Sequence, residues 1–314
     1  PETRAYVWQR LKENYIDNGV DLLWFDEAEP EIHPEHFDNL ILSVGNGSET
    51  ALLFPYYYAQ LVYDGMKESG REDILTLSRC SYLGAQKFAN LIWSGDIPST
   101  FESLRMQVKS GLNMAMCGMP WWTTDIGGFY GGDIESDYFR ELIVRWFQYG
   151  LFCPVMRLHG SRNGHDRTRD ILEPTGGDNE IWSFGDRDYE ILRDLVLLRI
   201  FLRERLRPYL RRHMDIASET GVPVMRPMFF DYPDDPVCYT LGEQYLFGDD
   251  ILFAPIVRQG QTSHRVYLPQ GEWVFARDGK EYKGGEWYEI PAALHEFIAF
   301  VKKGADVLSV FTEK

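Results

Sequence analysis

The chain has 314 residues, of which 44% are hydrophobic and 15% aromatic, and its formal net charge is −16. This length allows a large buried core and predicts a big domain followed by a smaller one. The negative charge argues against a nucleic-acid partner and favours a neutral or cationic ligand, because phosphate binding needs clustered lysine and arginine. No apolar run approaches the roughly 18 residues that cross a membrane, so no membrane partner is expected.

The four cysteines are far apart in the sequence and form no CxxC pair: they are Cys80, Cys117, Cys153 and Cys238. This spacing predicts no zinc site. Three of them lie in apolar runs and are expected to be buried free thiols, which weakly favours a reducing compartment such as the cytoplasm. Since the chain begins at Pro1 rather than Met, the lack of a signal sequence leaves the localisation open.

Periodic apolar residues predict that helices and strands alternate over most of the chain. In chain order the predicted elements are a helix over 1–17, a strand at Val20–Phe25, a polar loop over 27–53, a helix at Phe54–Lys67, strands at Ile74–Leu77 and Leu91–Trp93, a helix opened by a Ser99–Glu102 capping box and ended by Gly111, a strand at Asn113–Met119, a helix from Ser136 to Gly150, a strand at Leu151–Met156 and a helix over 187–213. Such alternation is typical of a parallel sheet with crossover helices.

These predicted strands are fewer than the eight that close a (β/α)8 barrel. We therefore predict strands 4 to 8 of an incomplete TIM-type barrel, as if three preceding βα units were absent. An open doubly wound sheet is the alternative, but no glycine-rich phosphate loop follows a strand. Beyond about residue 217 short apolar runs alternate with turn residues, which predicts an all-β sandwich. The expected domains are residues 1–216 and 217–314.

Two carboxylates, Asp26 and Asp96, come after apolar strands and are the first candidates for chemistry. Both are expected at the same rim of a parallel barrel. A retaining glycosidase needs such a pair, about 5–5.5 Å apart, as nucleophile and general acid/base. Each also has a plainer interpretation, since Asp26 could belong to an acidic loop and Asp96 could start a helix. An ionised nucleophile needs a neighbouring cation, and Arg79 and Arg157 are the candidates.

Further polar and aromatic residues follow later strands. The segment Trp121–Phe129 contains two tryptophans, Asp125 and two glycines, and glycines let a backbone approach a ligand closely. Asp125 could accept hydrogen bonds from two sugar hydroxyls. Arg157 and His159 are two residues apart where the last predicted strand closes and therefore point to one side. The alternative is that the aromatics are core residues and that His159 is structural.

The loop after Asp26 contains five potential metal ligands: Glu29, Glu31, His33, Glu35 and His36. Their spacing matches no helical metal motif, so a metal-dependent hydrolase is the weaker hypothesis. No metal and no organic cofactor is expected.

Together the motifs resemble those of glycoside hydrolase family 31, which contains α-glucosidases and α-xylosidases. The matching stretches are Trp24–Pro30, Arg79 with Gly84–Phe88, Trp93–Asp96, Ser103–Arg105, Asp125–Phe129 and Arg145–Trp146 running on to Arg157–His159. They agree in order and spacing over about residues 15–260. The resemblance implies the later part of a TIM-type barrel followed by a β-sandwich.

The resemblance also implies a retaining exo-α-glycosidase that releases terminal glucose or xylose through a covalent glycosyl–aspartate intermediate. Asp26 is then the nucleophile and Asp96 the general acid/base. Seven further residues are implied to bind the sugar: Arg79, Trp93, Trp122, Asp125, Phe129, Arg157 and His159. Among them the resemblance implies Trp93 and Phe129 as pocket walls and His159 as a hydroxyl ligand. An α-transglucosylase of the same fold and a non-catalytic carbohydrate-binding relative are the alternatives.

The sequence departs from the family in two ways. The family's N-terminal β-sandwich and first three barrel strands are not in this sequence, so we expect them in a longer polypeptide or a second chain and expect little activity from this chain alone. A free half-barrel would expose an edge strand and apolar faces. After Asp26 the chain reads Glu-Ala-Glu-Pro where starch-type α-glucosidases have Met-Asn-Glu, so this part is similar to the bacterial α-xylosidase and transglucosylase branches.

Overall fold

A computed structural model describes residues 2–29, 36–162, 179–184 and 201–312. They form two compact units, Pro1–Gly95 and Asp96–Lys314, and each unit has a hydrophobic core of its own. The helices are α1 Glu2–Asn14, α2 Gly47–Thr50, α3 Leu53–Glu68, α4 Phe101–Met116, α5 Asp137–Leu151, α6 Phe201–Thr220, α7 Met228–Asp231 and α8 Ser309–Thr312. The strands are β1 Leu23–Phe25, β2 Ile41–Leu42, β3 Gly45–Asn46, β4 Thr76–Ser78, β5 Asn90–Trp93, β6 Trp122–Thr123, β7 Met225–Pro227, β8 Tyr245–Phe247, β9 Ile251–Phe253, β10 Ser263–Leu268, β11 Glu272–Phe275, β12 Glu281–Lys283, β13 Glu286–Pro291 and β14 Ala299–Lys302.

In the first unit three short parallel strands lie side by side. Leu23 of β1 is opposite Thr76 of β4, and β4 pairs in turn with β5. Trp8 of α1, Phe25 of β1 and Met66 of α3 belong to one core. Helices therefore cover a parallel sheet, and the predicted alternation of helices and strands is confirmed in this unit. Because parallel strands end at the same edge, the residues that follow β1 and β4 lie close together.

The contact between α1 and α3 depends on a glycine. A Cβ on Gly65 would lie 2.1 Å from Cδ2 of Trp8, which is closer than any side chain tolerates. Without that Cβ the indole reaches the backbone of α3 and is buried there. A glycine inside a helix costs about 1 kcal/mol in backbone entropy, and burial of the Trp8 side chain offsets this cost.

Residues 113–119 are not the strand that their apolar character predicted. Helix α4 continues to Met116, because Val108 and Leu112 keep a helical spacing and are buried on one face. Gly111 therefore lies inside this helix instead of ending it. The strand of this part of the chain follows as the two-residue β6.

Helix α4 also begins differently from the predicted capping box. Thr100, and not Ser99, is the N-cap, and its Oγ1 accepts a hydrogen bond from the backbone N–H of Ser103. Ser99 Oγ accepts a hydrogen bond from Arg162 instead. The predicted N-cap of α5 is confirmed, since the side chain of Ser136 accepts a backbone hydrogen bond from the first turn.

The predicted strand Leu151–Met156 is wrong. Leu151 is the last residue of α5, and the described backbone after it forms turns and irregular structure. Arg203 of α6 donates hydrogen bonds to three carbonyl oxygens of this segment. In a strand, these oxygens would accept hydrogen bonds from the adjacent strand instead. The apolar character has a different cause, since Phe152 stacks on Phe253 of the sandwich at 4.2 Å. Of the helix predicted over 187–213, residues 187–200 lie outside the described part of the chain, and the rest belongs to α6.

The end of the chain forms the predicted β-sandwich. One antiparallel sheet has the order β12-β11-β14-β9-β8-β7, and a second sheet pairs β10 with β13. The core between them includes Leu252, Val266, Trp273 and Phe300, all of which are buried. The boundary predicted near residue 216 falls inside α6 and stays a prediction.

Helix α5 is attached to the sandwich by a buried arginine. Arg145 is 2% exposed and donates hydrogen bonds to the carbonyl oxygens of Gln261, Ala293 and Glu296 at 3.1–3.2 Å. Burial lowers the pKa of Arg145 to about 10, so the guanidinium stays charged at neutral pH. Barrel helix and sandwich are thus joined by charge-assisted bonds to backbone oxygens.

The cysteines carry free thiols. Cys153 and Cys238 are buried, Cys80 is half-buried and Cys117 is exposed. Burial raises the pKa of Cys153 to about 12, so this thiol stays protonated. Within the described ranges no helix combines the length and hydrophobicity that a bilayer crossing requires.

Candidate active site

An arginine joins two acidic side chains at the ends of β1 and β4. Arg79 Nη1 is 3.3 Å from Asp26 Oδ1, and Arg79 Nη2 is 2.5 Å from Glu29 Oε1. Asp26 and Arg79 are the first residues after two strands that pair in parallel, so the sheet brings them together. Arg79 is one of the two arginines that the sequence proposed as a partner of Asp26.

Glu29 is a member of this group that sequence reasoning assigned only to the potential metal ligands. Burial is the largest single influence and acts to raise the pKa of Glu29, but the hydrogen bonds to its carboxylate and the charge of Arg79 together hold this pKa below its usual value. Burial, together with the charge of Glu29, raises the pKa of the adjacent Cys80 thiol to about 12. Glu29 is therefore an anion that orients Arg79. Its position three residues after Asp26 was the available signal.

The backbone turns sharply after Asp26. Glu27 has a φ of 49°, in the left-handed region that residues other than glycine seldom adopt. In this conformation the N–H of Glu27 donates to Asp26 Oδ1 at 2.9 Å. The side chain of Asp26 nevertheless remains 56% exposed, so the carboxylate is held in place and still accessible.

Two tryptophans stand beside this group. Trp24 of β1 meets Trp93 of β5 edge to face, with ring centroids 5.7 Å apart. Trp93 is buried, whereas Trp24 is 48% exposed. Trp93 thus supports Trp24, which presents the accessible aromatic surface, and the role of Trp93 as a pocket wall stays a prediction.

The second unit contains a buried carboxylate. Asp125 is fully buried, and its Oδ1 accepts a hydrogen bond from Arg157 Nη1. Burial raises the pKa of Asp125 to about 7; Arg157 opposes this rise and the charge of Asp96 adds to it. Asp96 and Asp125 are therefore close enough to repel each other. Asp125 Oδ2 is buried and accepts no hydrogen bond from the part of the chain that the structure describes.

A second arginine, which the sequence analysis missed, organises the loop after Asp125. Arg162 is 1% exposed and donates to Ser99 Oγ at 3.1 Å and to the carbonyl oxygen of Gly128 at 2.8 Å. A Cβ on Gly127 would lie 2.8 Å from Arg162 Nη2, so the glycine leaves the space that the guanidinium fills. Its partners are mostly backbone atoms distant in sequence, and only the paired glycines pointed to a close approach here.

Three loops are aligned in this unit. Isolated parallel bridges join Pro98 to Tyr130 and Tyr130 to Ser161, which places the segments after Asp96 and Asp125 next to the segment after His159. Phe129 and His159 stack with centroids 5.6 Å apart and an interplanar angle of 23°. Their predicted roles as pocket wall and hydroxyl ligand remain predictions.

Trp122 lies against the helix layer. The residue is buried, and its indole Nε1 would be 2.7 Å from a Cβ on Gly111 of α4. Packing of the ring into this gap explains why a glycine occupies the helix interior at that point. The predicted contact of Trp122 with a sugar stays a prediction.

The structure describes only some of the five potential metal ligands. Glu31, His33 and Glu35 lie outside the described residues, while Glu29 binds Arg79. Among the residues that can be described, no group of three or more His, Cys, Asp or Glu side chains is arranged to hold a metal ion.

Acidic side chains held by arginines at the ends of parallel strands, with aromatic rings beside them, fit the class of carbohydrate-active barrel proteins. Comparison with protein families is more specific. Residues 1–211 match the model of the glycosyl hydrolases family 31 TIM-barrel domain, and residues 221–307 match that of the family's C-terminal domain. The chain belongs to glycosyl hydrolase family 31, and its fold is the family's barrel followed by a β-sandwich.

Individual proteins agree with this membership. The structure of an α-xylosidase from a soil metagenome complexed with xylose is similar over 99% of this chain and 47% of its own, with 45% identity and a TM-score of 0.91. An α-xylosidase from Saccharolobus solfataricus is 33% identical over 97% of this chain and 40% of its own length. An isomaltosyltransferase from Sporosarcina globispora is 32% identical over 96% of this chain and 26% of its own. The chain thus spans less than half the length of these relatives.

Proposed function

We propose that the protein containing this chain is a retaining exo-acting α-glycosidase, and that α-xylosides are its favoured substrates with α-glucosides as the alternative. Membership of family 31 supports the class of reaction. Similarity to two proteins named as α-xylosidases supports xylose as the sugar. Residues outside this chain are expected to complete the enzyme.

In the proposed reaction Asp26 attacks the anomeric carbon while Asp96 protonates the leaving oxygen. The bond to the leaving group breaks, and a β-glycosyl ester with Asp26 forms. Asp96 then takes a proton from a water molecule that attacks the same carbon, so an α-sugar leaves and the Asp26 carboxylate is restored. Two inversions give net retention, and the chemistry needs no metal or organic cofactor.

The buried carboxylate of Asp125 is the observation that carries the proposal for sugar binding. Arg157 occupies Oδ1, while Oδ2 has no donor within the described chain. A buried acceptor without a donor costs about 1–3 kcal/mol, and a sugar hydroxyl would supply that donor. We assign Asp125 as a hydroxyl ligand and Arg157 as the residue that positions it.

The remaining residues receive roles that follow from their neighbours. Arg79 positions Asp26 and contacts the sugar, and His159 is a further hydroxyl ligand. Phe129, which stacks on His159, and Trp93, which supports Trp24, form aromatic walls beside the sugar.

Aryl glycosides test the two catalytic assignments in the full-length protein. Asp96→Ala is expected to keep kcat/KM on substrates with very good leaving groups and to lose about 10²–10⁴-fold on ordinary disaccharides, because only the latter need a proton donor in the first step. Its kcat should fall on both kinds of substrate, because no base then activates water in the second step. Asp26→Ala is expected to lose both activities. The control is Asp64→Asn, which removes an exposed carboxylate of α3. Equal residual activity of the two site variants would refute the assignment, and release of a β-sugar, seen by NMR, would refute retention.

Transglycosylation is the second candidate, and the similarity to an isomaltosyltransferase favours it. The same intermediate would then be attacked by a sugar hydroxyl instead of water. Products longer than the substrate, formed at low substrate concentration, would identify a transferase. Exclusive release of the monosaccharide would identify a hydrolase.

A further inference from the structure

A cleft of about 310 Å³ lies between barrel helix α4 and the β10–β13 sheet of the sandwich. Arg105 and Lys109 line it from α4, and because they are four residues apart they share one face of the helix. Arg265 of β10 and Trp287 of β13 line the opposite side, and Glu243 lies in the loop just before β8. None of these residues belongs to the candidate active site.

The cleft is positively charged although the whole chain has a net charge of −16. Its lining contains one carboxylate, Glu243, which already accepts hydrogen bonds from Arg105 and from both terminal nitrogens of Arg258, each at 2.7 Å. Lys109 and Arg265 form no ion pair with any residue in the described ranges. Two cations therefore remain available to an anion in the cleft.

Arg265 and the acidic side chain opposite it form no ion pair. Glu289 is directly opposite Arg265 across the strand pair, but its carboxylate accepts a hydrogen bond from Ser263. The Arg265 guanidinium instead lies over the ring of Trp287, 4.6 Å from the centroid. Trp287 is 40% exposed and packs on Tyr267 with centroids 5.3 Å apart. An exposed ring thus stands beside the available cations.

The walls of the cleft are fixed by buried polar contacts. Gln244, 2% exposed, donates to the carbonyl oxygen of Tyr267 at 2.7 Å and accepts from the N–H of Tyr267 at 2.9 Å. His264 is 8% exposed, and its Nδ1 is 2.9 Å from the amide nitrogen of Gln261. The loop that carries Glu243 is therefore tied to β10, and the cleft is preorganised.

We propose that this cleft binds an acidic sugar unit of an oligosaccharide. The oxyanion of the sugar, a carboxylate or a sulfate ester, would pair with Lys109 and Arg265, and the ring would rest against Trp287. A volume of about 310 Å³ is at the lower end of small-molecule sites, which suits one sugar ring better than a long chain. The site would hold an acidic branch or neighbouring unit of the substrate while hydrolysis takes place elsewhere.

Calorimetry on the full-length protein tests the proposal with four probes. These are a xylo-oligosaccharide with one glucuronic acid unit, a sulfated xylo-oligosaccharide, the carboxyl-reduced neutral form of the first, and inorganic sulfate alone. The test variant is Lys109→Ala/Arg265→Ala. Its control is Lys283→Ala/Arg211→Ala, which removes the same charge from exposed positions.

The test variant is expected to bind the acidic sugars roughly tenfold or more weakly, while the control changes by less than about twofold. The stronger of the two acidic sugars identifies the oxyanion. The neutral form should bind weakly and equally to the wild type and to the test and control variants, and Trp287→Ala should weaken the acidic sugars but not sulfate. Activity on a neutral aryl glycoside should stay unchanged in every variant, which separates this proposal from the proposed function.

Three results would overturn the proposal. Equal affinity for the acidic sugars and the neutral form would remove the need for the cations. An equal loss in the test and control variants would show only a general effect of charge. Sulfate binding as tight as that of the acidic sugars, with no effect of Trp287→Ala, would overturn the assignment to a sugar and leave a simple anion site.

Discussion

Replacement of Arg157 by methionine probes the buried carboxylate of Asp125 most sharply. Methionine keeps the aliphatic bulk but removes the guanidinium that contacts Asp125 Oδ1. Burial already raises the pKa of Asp125 to about 7, and Arg157 is the main group that limits this rise. An opposite charge at contact distance lowers a carboxyl pKa by about 1–3 units, so Arg157→Met should raise the pKa of Asp125 by that amount.

The consequence is a change in how stability depends on pH. The unfolded carboxyl titrates near 3.9, so the folded state holds the extra proton and stability falls as pH rises from there to the folded pKa. In the wild-type protein this loss ends near pH 7. In Arg157→Met it continues at about 1.4 kcal/mol per pH unit, which amounts to about 1–2 kcal/mol between pH 7 and pH 9.

Thermal unfolding of the full-length protein at several pH values measures this effect. The midpoint difference between wild type and Arg157→Met should widen from pH 7 to pH 9. In the control Asp125→Asn/Arg157→Met the extra dependence should vanish, because no carboxyl is left to titrate. A constant difference across this range, or a widening that persists in the double variant, would refute the coupling between these two residues.

Three further predictions concern other parts of the molecule. Burial lowers the pKa of His213 to about 4, so the unfolded chain takes up a proton at a higher pH than the folded protein does. Stability should therefore fall by about 2–3 kcal/mol as the pH drops from about 6.5 to 4. Denaturation of His213→Phe should show no such fall, and an unchanged fall in this variant would refute the role of His213. Glu29→Gln removes the anion that orients the arginine beside it and should lower kcat/KM for an aryl glycoside roughly tenfold, with partial recovery in Glu29→Asp; full activity of Glu29→Gln would contradict this role. Gly128→Ala places a Cβ 2.7 Å from Ser99 Cα at a φ of +82°, whereas Gly131 has a similar φ of +78° and open space around it. Gly128→Ala should therefore lower the thermal unfolding midpoint clearly more than Gly131→Ala does. Equal decreases in the midpoint would refute the clash.

The arrangement of the first unit could be predicted because it follows from topology. Asp26 and Arg79 each come directly after a strand, and parallel strands deliver such residues to one edge. Their ion pair could therefore be expected from position alone. The β-sandwich was equally predictable, since frequent turn residues between short apolar runs are typical of that fold.

The errors have a common cause in the short strands of the second unit. Strand β6 has only two residues, too few to show a period of two. The apolar residues 113–119 and 151–156 looked like buried strands, although the first run completes α4 and the second packs on the sandwich. Burial makes both kinds of segment apolar, so composition alone could not separate them.

Arginines that bind backbone oxygens were also missed by the sequence analysis. Arg145, Arg162 and Arg203 donate mainly to backbone carbonyl oxygens that are far away in the sequence. Every residue has a carbonyl oxygen, so no side-chain pattern reveals which ones an arginine reaches. Such contacts become visible only when the fold is known.

The central claim is that Asp26 forms a covalent bond to the sugar. A slowly hydrolysed fluorosugar with a good leaving group should trap that ester in the full-length protein, and mass spectrometry of the digested protein would locate it. We expect one added glycosyl unit on the peptide containing Asp26, with faster loss of the label when an acceptor sugar is added. A label on any other residue, or complete inactivation without a label, would contradict the account.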